Sequence, residues 1–537
     1  MANEWKYPLI LMFLWFILTI IVNPIGDFPL NDDWQYAYPV KTLLEGEGYQ
    51  LRGIFSPNIF VQVIWGYLFH SHSGDFSFTI LRISVLILAG IGLLLYFQIG
   101  KKIASSGMAF TAALVLLFNP LFFGLSYSFM TDVPFLAFVM AGILAYWRYL
   151  ETDRSIFRVL GFLLSVLAFL LRQPGILLLI CFELTLFVVS PKKMKDIASV
   201  AFALAVAVGS YWVTESILKP SLGLKEHYLS VDSLYFTTLL ENPVSFFIKF
   251  TQRTLMSIFY LGLFCLPFIN FIIKWSKSKQ LLRMPILATI TIANAVLAAV
   301  LYKWGYIFPF GGNVIQPEGF GPILTYDYWP EKLIDYSATT QICIMSFGLL
   351  VQIYACFVFM YFVESHILPL LKSSQKNTVQ ETTLVTFRRF IVLLLCSYLA
   401  VVMVISYFDR YMLLPSALLF LLFLPNIPKQ RYSPLTLVLL LCFAWYAIMG
   451  TKDYLQMHRV IHRLADDSRI PPTELTSELA RESWEHGNWW QDRTRTYVIA
   501  LSELEGFQAI DSLSYFKYYQ LKPQQVYLLK RNHERSE

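Results

Sequence analysis

The sequence predicts an all-α polytopic membrane protein of about thirteen transmembrane helices, with loops on the outer face and a small C-terminal α+β extramembrane domain. The first observation is composition: 56% of the 537 residues are hydrophobic and 15% are charged, whereas soluble proteins contain about 25% charged residues. The second is that the charges lie in short clusters between apolar runs, each roughly as long as a helix that crosses a bilayer. The third is a change to charged, strand-like sequence after residue 450.

The predicted transmembrane helices are the long apolar runs of the chain. Two neighbouring pairs, separated at Arg172 and at Asp409–Arg410, are short enough that each pair could instead form one bent helix. The run 59–69 is too short to span a bilayer, and we expect a helix that lies in the membrane interface. The predicted spans are 8–25, 78–100, 108–125, 133–149, 157–171, 173–190, 196–215, 250–273, 284–302, 340–362, 389–406, 410–424 and 434–450.

Lysine and arginine residues are concentrated in alternate loops, and this bias predicts the orientation in the membrane. With the N-terminus in the cytoplasm, clusters such as Lys101–Lys102 and Lys192–Lys193 lie inside, while the longer loops outside carry fewer basic residues. The formal net charge of +6 is therefore a topology signal, and no stretch resembles a nucleic-acid-binding surface. This pattern predicts a multi-pass membrane protein with a cytoplasmic N-terminus and an extracytoplasmic C-terminus.

Two domains are predicted from this topology. A transmembrane domain covers 1–450, and its first outer loop covers about 26–77. A periplasmic or extracytoplasmic domain covers 451–537. Its predicted elements are a helix at 454–465 and strands at 496–501 and 515–529.

Two adjacent carboxylates, Asp32 and Asp33, begin the first outer loop soon after the first predicted span. Adjacent acids at a membrane surface are costly unless they are solvated, paired or used in function. Either residue could also cap the helix that follows, because aspartate favours that position. The pattern alone therefore leaves a structural and a functional interpretation open.

The sequence that follows these carboxylates favours the functional interpretation. The stretch DDWQYAYPVKTLLEGEGY, residues 32–49, resembles the first outer loop of the GT-C polyprenyl-phosphate-sugar glycosyltransferases. That group includes glycosyltransferase family 39, the protein O-mannosyltransferases and the bacterial aminoarabinose transferases. The resemblance implies a GT-C-like fold in which Asp32 is the catalytic aspartate, Asp33 is its acidic neighbour, and Tyr36 lies in the substrate site.

Two further motifs resemble the same family, in the same order and on the same predicted side of the membrane. Met130–Phe138 contains an aspartate, Asp132, followed by a hydrophobic residue and a proline at the start of a span. Tyr407–Pro415 is similar to the family's Arg-Tyr-apolar-Pro segment and contains Arg410 and Tyr411. The resemblance implies a catalytic-site role for Asp132 and substrate binding by Arg410 and Tyr411.

The phosphate-binding residue departs from the family pattern. Family 39 commonly has Lys-Pro-Pro before the short helix of the first loop, whereas this chain has Phe-Ser-Pro-Asn at 55–58, without a cation. Either another basic residue binds the donor phosphate, with Arg410, Arg172 and Lys303 as candidates, or the donor differs. Arg82 lies where the family often has arginine and is a further substrate-binding candidate.

The resemblance implies transfer of a sugar from a polyprenyl-phosphate donor to a glycan, lipid or protein acceptor on the outer face of the membrane. Asp32 would act as general base on the acceptor, and Arg410 would stabilise the charge that grows on the phosphate. Structural alternatives remain open: Arg410 could be an interfacial cation paired with Asp409, and Asp132 could cap its helix. The alternative function is that of a non-enzymatic transporter, flippase or binding protein for lipid-linked saccharides.

No cofactor is predicted and no metal ligand is assigned. His70 with His72, and His458 with His462, could each bind a divalent metal ion, but neither pair has an evident third ligand in the sequence. The six cysteines lie in apolar runs without metal-binding or disulfide spacing. The expected partners are the lipid-linked donor, membrane lipids and the acceptor, without nucleic acid. Within this resemblance a bacterial plasma (inner) membrane is favoured over the endoplasmic reticulum, because the long lumenal insert of the eukaryotic O-mannosyltransferases is missing.

Overall fold

The computed structural model describes most of the chain, and the described part is mostly helical. The stretch 55–57 of the first loop and His72 lie outside the described residues. The described residues are 5–52, 58–71, 75–189, 194–213, 216, 239–281, 284–303, 313–316, 319–327, 337–371, 379–404, 407–427, 433–487 and 491–532.

The helices of the first half begin at residues suited to that position. Ser77 and Ser105 precede the fourth and fifth helices, and each side chain accepts a hydrogen bond from a backbone N–H in the first turn. The helix predicted at 59–69 is present. The helices are α1 (Lys6–Val22), α2 (Asp33–Leu44), α3 (Phe60–His70), α4 (Phe78–Ile103), α5 (Ser106–Leu117), α6 (Pro120–Leu125), α7 (Asp132–Thr152), α8 (Ser155–Phe169), α9 (Ile176–Val189) and α10 (Met194–Val213).

The second half continues with helices of the same apolar kind. The longest of them begins with Ser433 as its capping residue and Pro434 at its first position, an arrangement that favours a helix start. Every run predicted as a span corresponds to one or two helices. The helices are α11 (Pro243–Phe264), α12 (Ile269–Ser278), α13 (Met284–Lys303), α14 (Ala338–Phe362), α15 (Val379–Val404), α16 (Leu413–Phe423), α17 (Pro434–Ser468) and α18 (Leu479–His486).

Five helices in the described part of the chain are long and apolar enough to cross a bilayer, namely α4, α7, α14, α15 and α17. The pair α11 and α12 passes the same test as one unit that is bent by 59° at its break. Several other apolar helices, among them α1, α5 and α8, are shorter. The chain is therefore a membrane protein with transmembrane helices, while the total of about thirteen crossings stays a prediction.

The helices expose apolar side chains outward and pack closely inward, as a lipid solvent requires. On α1, Leu9 and Phe13 are 64% and 68% exposed, whereas Leu11 on the opposite face is buried. Small residues let helices approach each other. A Cβ atom added at Gly262 of α11 would lie 2.3 Å from the Cβ atom of Ala355 on α14, so this contact depends on glycine.

Helices α4 and α7 run between two chemically different ends. At one end Lys102 lies 2.9 Å from Glu151, which also pairs with Arg148 at 3.1 Å. At the other end the first residue of α4, Phe78, donates its backbone N–H to Asp27 of the first loop. The basic residues predicted to lie inside and the loop predicted to lie outside are thus at opposite ends of these helices.

The segment after α17 forms a four-stranded sheet with the order β3-β4-β6-β5. β3 is parallel to β4, and the other neighbours are antiparallel. A two-stranded antiparallel sheet, β1-β2, lies in the segment before α14. The strands are β1 (Ile315–Gln316), β2 (Gly319–Phe320), β3 (Leu475–Thr476), β4 (Tyr497–Ala500), β5 (Phe507–Lys517) and β6 (Lys522–Arg531).

The C-terminal elements differ from the prediction in two respects. The run 515–529 is not one strand, because β5 and β6 form a hairpin within it. Asp453 on α17 holds the turn by accepting the backbone N–H groups of Tyr518 and Tyr519 at 2.8 and 2.7 Å. The helix predicted at 454–465 is part of α17, which passes residue 450 without a break. The division into two domains at this position therefore stays a prediction.

Candidate active site

Asp32 and Arg410 form an ion pair at the end of the helices opposite Lys102. Asp32 directly precedes α2, and Arg410 lies in a 3₁₀ turn, Asp409–Met412, that directly precedes α16. The Nη1 atom of Arg410 lies 2.8 Å from Oδ2 of Asp32. The Asp32 side chain makes no capping hydrogen bond to α2, so the helix-cap interpretation does not describe it. Because the Asp32 side chain is 20% exposed, the pair is shielded but open to solvent.

A second ion pair joins Asp132 and Arg172. Asp132 is the first residue of α7, and Arg172 precedes the short 3₁₀ turn that leads into α9. The ring of Tyr411 contacts both arginines, with its centroid 4.9 Å from the guanidinium carbon of Arg172 and 5.8 Å from that of Arg410. A cation over an aromatic ring is stabilised by the electron density of the ring.

The two ion pairs form one electrostatic cluster. Asp132 acts on Arg410 as well as on Arg172, and Tyr36, one turn into α2, is influenced by all four charges. Burial raises the pKa of Tyr36 to about 12, so its hydroxyl stays protonated and can donate a hydrogen bond. Six of the nine residues predicted for the site are thereby close together. They are Asp32, Tyr36, Asp132, Arg172, Arg410 and Tyr411.

Asp33 points away from this cluster and is fully buried. Its two carboxylate oxygens accept the backbone N–H groups of Leu30, at 2.6 Å, and of Phe129, at 3.2 Å. Burial raises the pKa of Asp33 to about 7, while Arg82 and these two hydrogen bonds oppose the shift. Asp33 therefore ties the first loop to the segment that leads into Asp132.

Asp409 has an analogous structural position beside Arg410. It is fully buried and accepts the backbone N–H groups of Val314, at 3.0 Å, and Ile315, at 2.8 Å. Burial raises the pKa of the carboxyl, and the hydrogen bonds from Ile315 and Val314 oppose this. One alternative paired Arg410 with Asp409. The structure shows a different partner, because Arg410 forms its ion pair with Asp32.

Of the two remaining candidates, Arg82 lies outside the cluster. Arg82 is fully buried and donates hydrogen bonds to the backbone carbonyl groups of Pro24, Gly26 and Phe28. It therefore fixes the entry to the first loop. Lys303 is the last residue of α13, and its side chain lies outside the described part of the structure.

The cluster can bind both an anion and a hydroxyl group. Its two aspartates and two arginines carry no net charge in sum. Among the described residues, Nε of Arg410 and Oδ2 of Asp132 are buried without a hydrogen-bond partner. A buried polar atom of this kind is costly unless something satisfies it. Arg410 has donors for the oxygens of a phosphate, and Asp132 has an acceptor for a hydroxyl hydrogen.

Sequence analysis did not identify Tyr398, which lies beside the cluster, and it named His70 as a possible metal ligand. Tyr398 of α15 is buried and acts electrostatically on Arg172, but a tyrosine in an apolar run gives no signal of its own. His70 is buried, and its ring nitrogens lie 3.0 Å from the carbonyl oxygen of Gly66 and 3.0 Å from the backbone nitrogen of Ser77. It therefore has backbone partners of its own.

Residues 63–213 match the family model described as dolichyl-phosphate-mannose-protein mannosyltransferase. The predicted resemblance to the GT-C polyprenyl-phosphate-sugar glycosyltransferases is thereby confirmed. The matched segment contains Arg82, Asp132 and Arg172, whereas Asp32 and Arg410 lie outside it. No curated protein matches the chain in sequence.

Solved structures overlap with this chain only loosely. ArnT from Cupriavidus metallidurans bound to undecaprenyl phosphate shares 11% identity at a TM-score of 0.38, over 90% of this chain and 85% of ArnT. The archaeal oligosaccharyltransferase AglB from Archaeoglobus fulgidus, in complex with an inhibitory peptide and a dolichol-phosphate, shares 13% identity at a TM-score of 0.38. That overlap covers 85% of this chain and 56% of AglB. Overlaps of this quality carry no argument about function.

Proposed function

We propose that this protein transfers a sugar from a polyprenyl-phosphate-linked donor to an acceptor glycan, lipid or protein on the outer face of the membrane. The observation that carries the proposal is the Asp32–Arg410 ion pair, which brings together two motifs of the family resemblance from distant parts of the chain. The family match over residues 63–213 supports the class of reaction.

In the proposed reaction Asp32 is the general base. Its carboxylate takes the proton from the acceptor hydroxyl or amine, whose oxygen or nitrogen attacks the anomeric carbon of the sugar. The bond between that carbon and the phosphate oxygen breaks, and the polyprenyl phosphate leaves with the electron pair. Asp132 orients the acceptor through its unpartnered Oδ2 atom.

Arg410 is the proposed phosphate ligand in this reaction, and Arg172 contacts the same ring of Tyr411. The phosphate competes with Asp32 for the guanidinium group of Arg410. Binding of the donor therefore weakens the ion pair and leaves the carboxylate available to accept a proton. When the bond to the sugar breaks, the leaving phosphate gains one negative charge and protonation of Asp32 removes one, so that the total charge of the cluster does not change during the transfer.

The remaining candidates have positioning roles in this proposal. Asp33 holds Asp32 and the segment before Asp132 in register through its two backbone hydrogen bonds. Arg82 holds the start of the same loop by donating hydrogen bonds to three of its backbone carbonyl groups. Neither residue has to touch the substrate.

The proposal includes the finer topology. About thirteen crossings, a cytoplasmic N-terminus and an extracytoplasmic segment after residue 450 would place the two ion pairs at the outer surface of a bacterial plasma membrane. The Lys/Arg alternation of the loops supports this orientation. A donor lipid could then deliver its phosphate to Arg410 from the bilayer, with its sugar in water.

Incubation of the purified protein with a panel of radiolabelled polyprenyl-phosphate sugars and a membrane extract tests this function. Transfer of label to any acceptor, lost in Asp32→Asn, is the expected result. Donor binding without transfer from any member of the panel would contradict the enzyme and favour a carrier or binding protein for lipid-linked saccharides. The inactive Asp32→Asn protein serves as the control for contaminating transferases.

A further inference from the structure

A second cluster of buried functional groups lies beside the candidate active site. His458 and His462 are four residues apart on α17, so their side chains lie on the same face of the helix. Glu478, which directly precedes α18, faces both of them across the contact between α17 and the C-terminal segment. The three residues come from two parts of the chain that the sequence does not place together.

The distances among these three groups suit a metal ion. Oε1 of Glu478 lies 3.5 Å from Nδ1 of His458 and 3.4 Å from Nε2 of His462. Two ligand atoms at zinc–ligand distances of about 2.0–2.1 Å in tetrahedral geometry are roughly 3.3 Å apart. One ligand atom from each residue lies within 4.8 Å of the other two. Side-chain movements that shift these atoms by about 1 Å would therefore bring all three to bonding distance from one metal ion.

The electrostatic surroundings also favour a cation. His458 and Glu478 are each 2% exposed, and Nδ1 of His458 and Nε2 of His462 have no hydrogen-bond partner among the described residues. Glu478 also interacts unfavourably with the buried carboxyl group of Asp33. A dication at this position would satisfy the ring nitrogens and offset the repulsion between the two carboxylates.

The carboxylate of Glu478 is already oriented by the backbone. Its Oε1 accepts the N–H of Arg481 at 2.9 Å, and its Oε2 accepts the N–H of Ala480 at 2.8 Å. Each carboxylate oxygen can accept more than one partner, so Oε1 retains a lone pair for a metal. Hydrogen bonds of this kind from surrounding groups hold metal ligands in place in known sites.

We propose that His458, His462 and Glu478 bind a divalent transition-metal ion, with Zn²⁺ as the first candidate, and that the ion joins α17 to the C-terminal segment. Two imidazoles and one carboxylate suit zinc better than magnesium or calcium, which prefer oxygen ligands. The ring of Phe28 in the first loop packs against both histidine rings, with centroid distances of 6.0 and 5.4 Å. The ion therefore also supports the loop that carries Asp32, without taking part in the sugar transfer.

The test is the metal content of the full-length protein, purified in detergent with a histidine-free tag and without chelators. About one zinc ion per chain is expected by elemental analysis. His462→Gln and Glu478→Gln should each lower this content at least about tenfold, because metal affinity depends on every ligand of a three-ligand site. The matched control is His486→Gln, which changes a histidine of α18 outside the cluster and should leave the zinc content unchanged.

Two measurements on the unmodified protein remain informative if the variants do not fold. Addition of zinc to protein stripped with dipicolinate should raise its melting temperature, whereas magnesium should not. Substitution with Co²⁺ should give the visible absorption of a tetrahedral nitrogen and oxygen site. Metal-free native protein that neither zinc nor cobalt alters in these assays would overturn the proposal, and a buried histidine–glutamate hydrogen-bond network would replace it. Zinc retained in full by both His462→Gln and Glu478→Gln would also overturn it.

Discussion

Arg410 and Asp32 are 378 residues apart in the chain, and their side chains meet at 2.8 Å. Each has a buried aspartate as its neighbour in sequence, and that aspartate accepts backbone N–H groups. Asp33 accepts from nearby Leu30 and from the distant Phe129, and Asp409 accepts from the distant Val314 and Ile315. In both motifs one buried aspartate therefore holds the backbone in position through hydrogen bonds. The neighbouring residue then points into the charged cluster, where a substrate can reach it.

Asp32→Asn is expected to lower turnover by roughly a hundred- to ten-thousand-fold, the usual loss when a general base is removed. The amide keeps the size of the side chain, so the protein should insert and fold normally. Turnover is measured at equal amounts of folded protein, with Glu47→Gln, an exposed acid of the same loop, as the control. Wild-type turnover in Asp32→Asn would remove the base from the mechanism.

Arg410→Lys is expected to weaken the productive binding of the donor by roughly 10- to 100-fold, although it keeps the positive charge. Lysine does not reproduce the planar guanidinium that holds a phosphate with two parallel hydrogen bonds. The measurement is the KM for the donor and kcat, with Arg154→Lys, an exposed arginine directly before α8, as the control. Unchanged values in Arg410→Lys would identify an interfacial anchor.

The helices and the main members of the site could be predicted from the sequence because their signals are local. Apolar runs of bilayer length gave helices at every predicted span. The motifs around Asp32, Asp132 and Arg410 identified residues that the fold does bring together. Pattern alone did not show which acid of the pair Asp32–Asp33 faces the cluster, because that depends on the backbone groups of Phe129.

Long-range contacts explain what could not be predicted. The predicted strand at 515–529 is interrupted by the turn between β5 and β6. This turn is held by Asp453, which lies on α17, far from the hairpin in sequence. Glu478 joins the histidines of α17 across the fold, and neither sequence segment contains a metal-binding motif by itself. Arg82 resembled a family position, but its partners are carbonyl groups of the first loop, which no side-chain pattern reveals.

Cysteine labelling with a membrane-impermeant maleimide tests the orientation. In a background without the six native cysteines, Glu47→Cys and Glu503→Cys should react from outside intact cells, and Lys277→Cys should react only after lysis. The side chains at these three positions are exposed in the folded protein, so the reagent can reach each of them from its own side of the membrane. Labelling of Glu47→Cys only after lysis would reverse the topology and remove the site from the outer face.

Asp33 is expected to make stability fall as pH rises. Its pKa is raised from 3.8 to about 7 in the folded protein, so the unfolded chain releases this proton first between about pH 4 and 7 and the folded state loses relative stability. The groups that influence Asp33 are Arg82 and Glu478. Burial also raises the pKa of Glu482 to about 7, so Glu482 likewise makes the free energy of unfolding fall as pH rises.

The measurement is the melting temperature in detergent against pH for the wild type and Asp33→Asn, since the difference between them cancels the contribution of Glu482. Asp33→Asn should be less stable at pH 5, because both oxygens of Asp33 accept a backbone N–H and the amide has only one acceptor oxygen, and the deficit should shrink towards pH 8. Parallel profiles from pH 4 to 8 would show that Asp33 does not titrate with this shift.

The Asp132–Arg172 pair offers a test that separates function from folding. Asp132→Leu alone leaves the buried guanidinium of Arg172 without its partner and should destabilise the protein by about 3–5 kcal/mol, whereas replacement of both charges by apolar residues is often neutral. The double variant Asp132→Leu/Arg172→Met should therefore recover the melting temperature. If Asp132 orients the acceptor, the double variant should still lose most turnover, because it lacks the Oδ2 atom of Asp132. Arg158→Met/Glu183→Leu, which removes an ion pair between α8 and α9, is the matched control and should keep turnover. A stable and fully active Asp132→Leu/Arg172→Met protein would show that this pair only joins two helices.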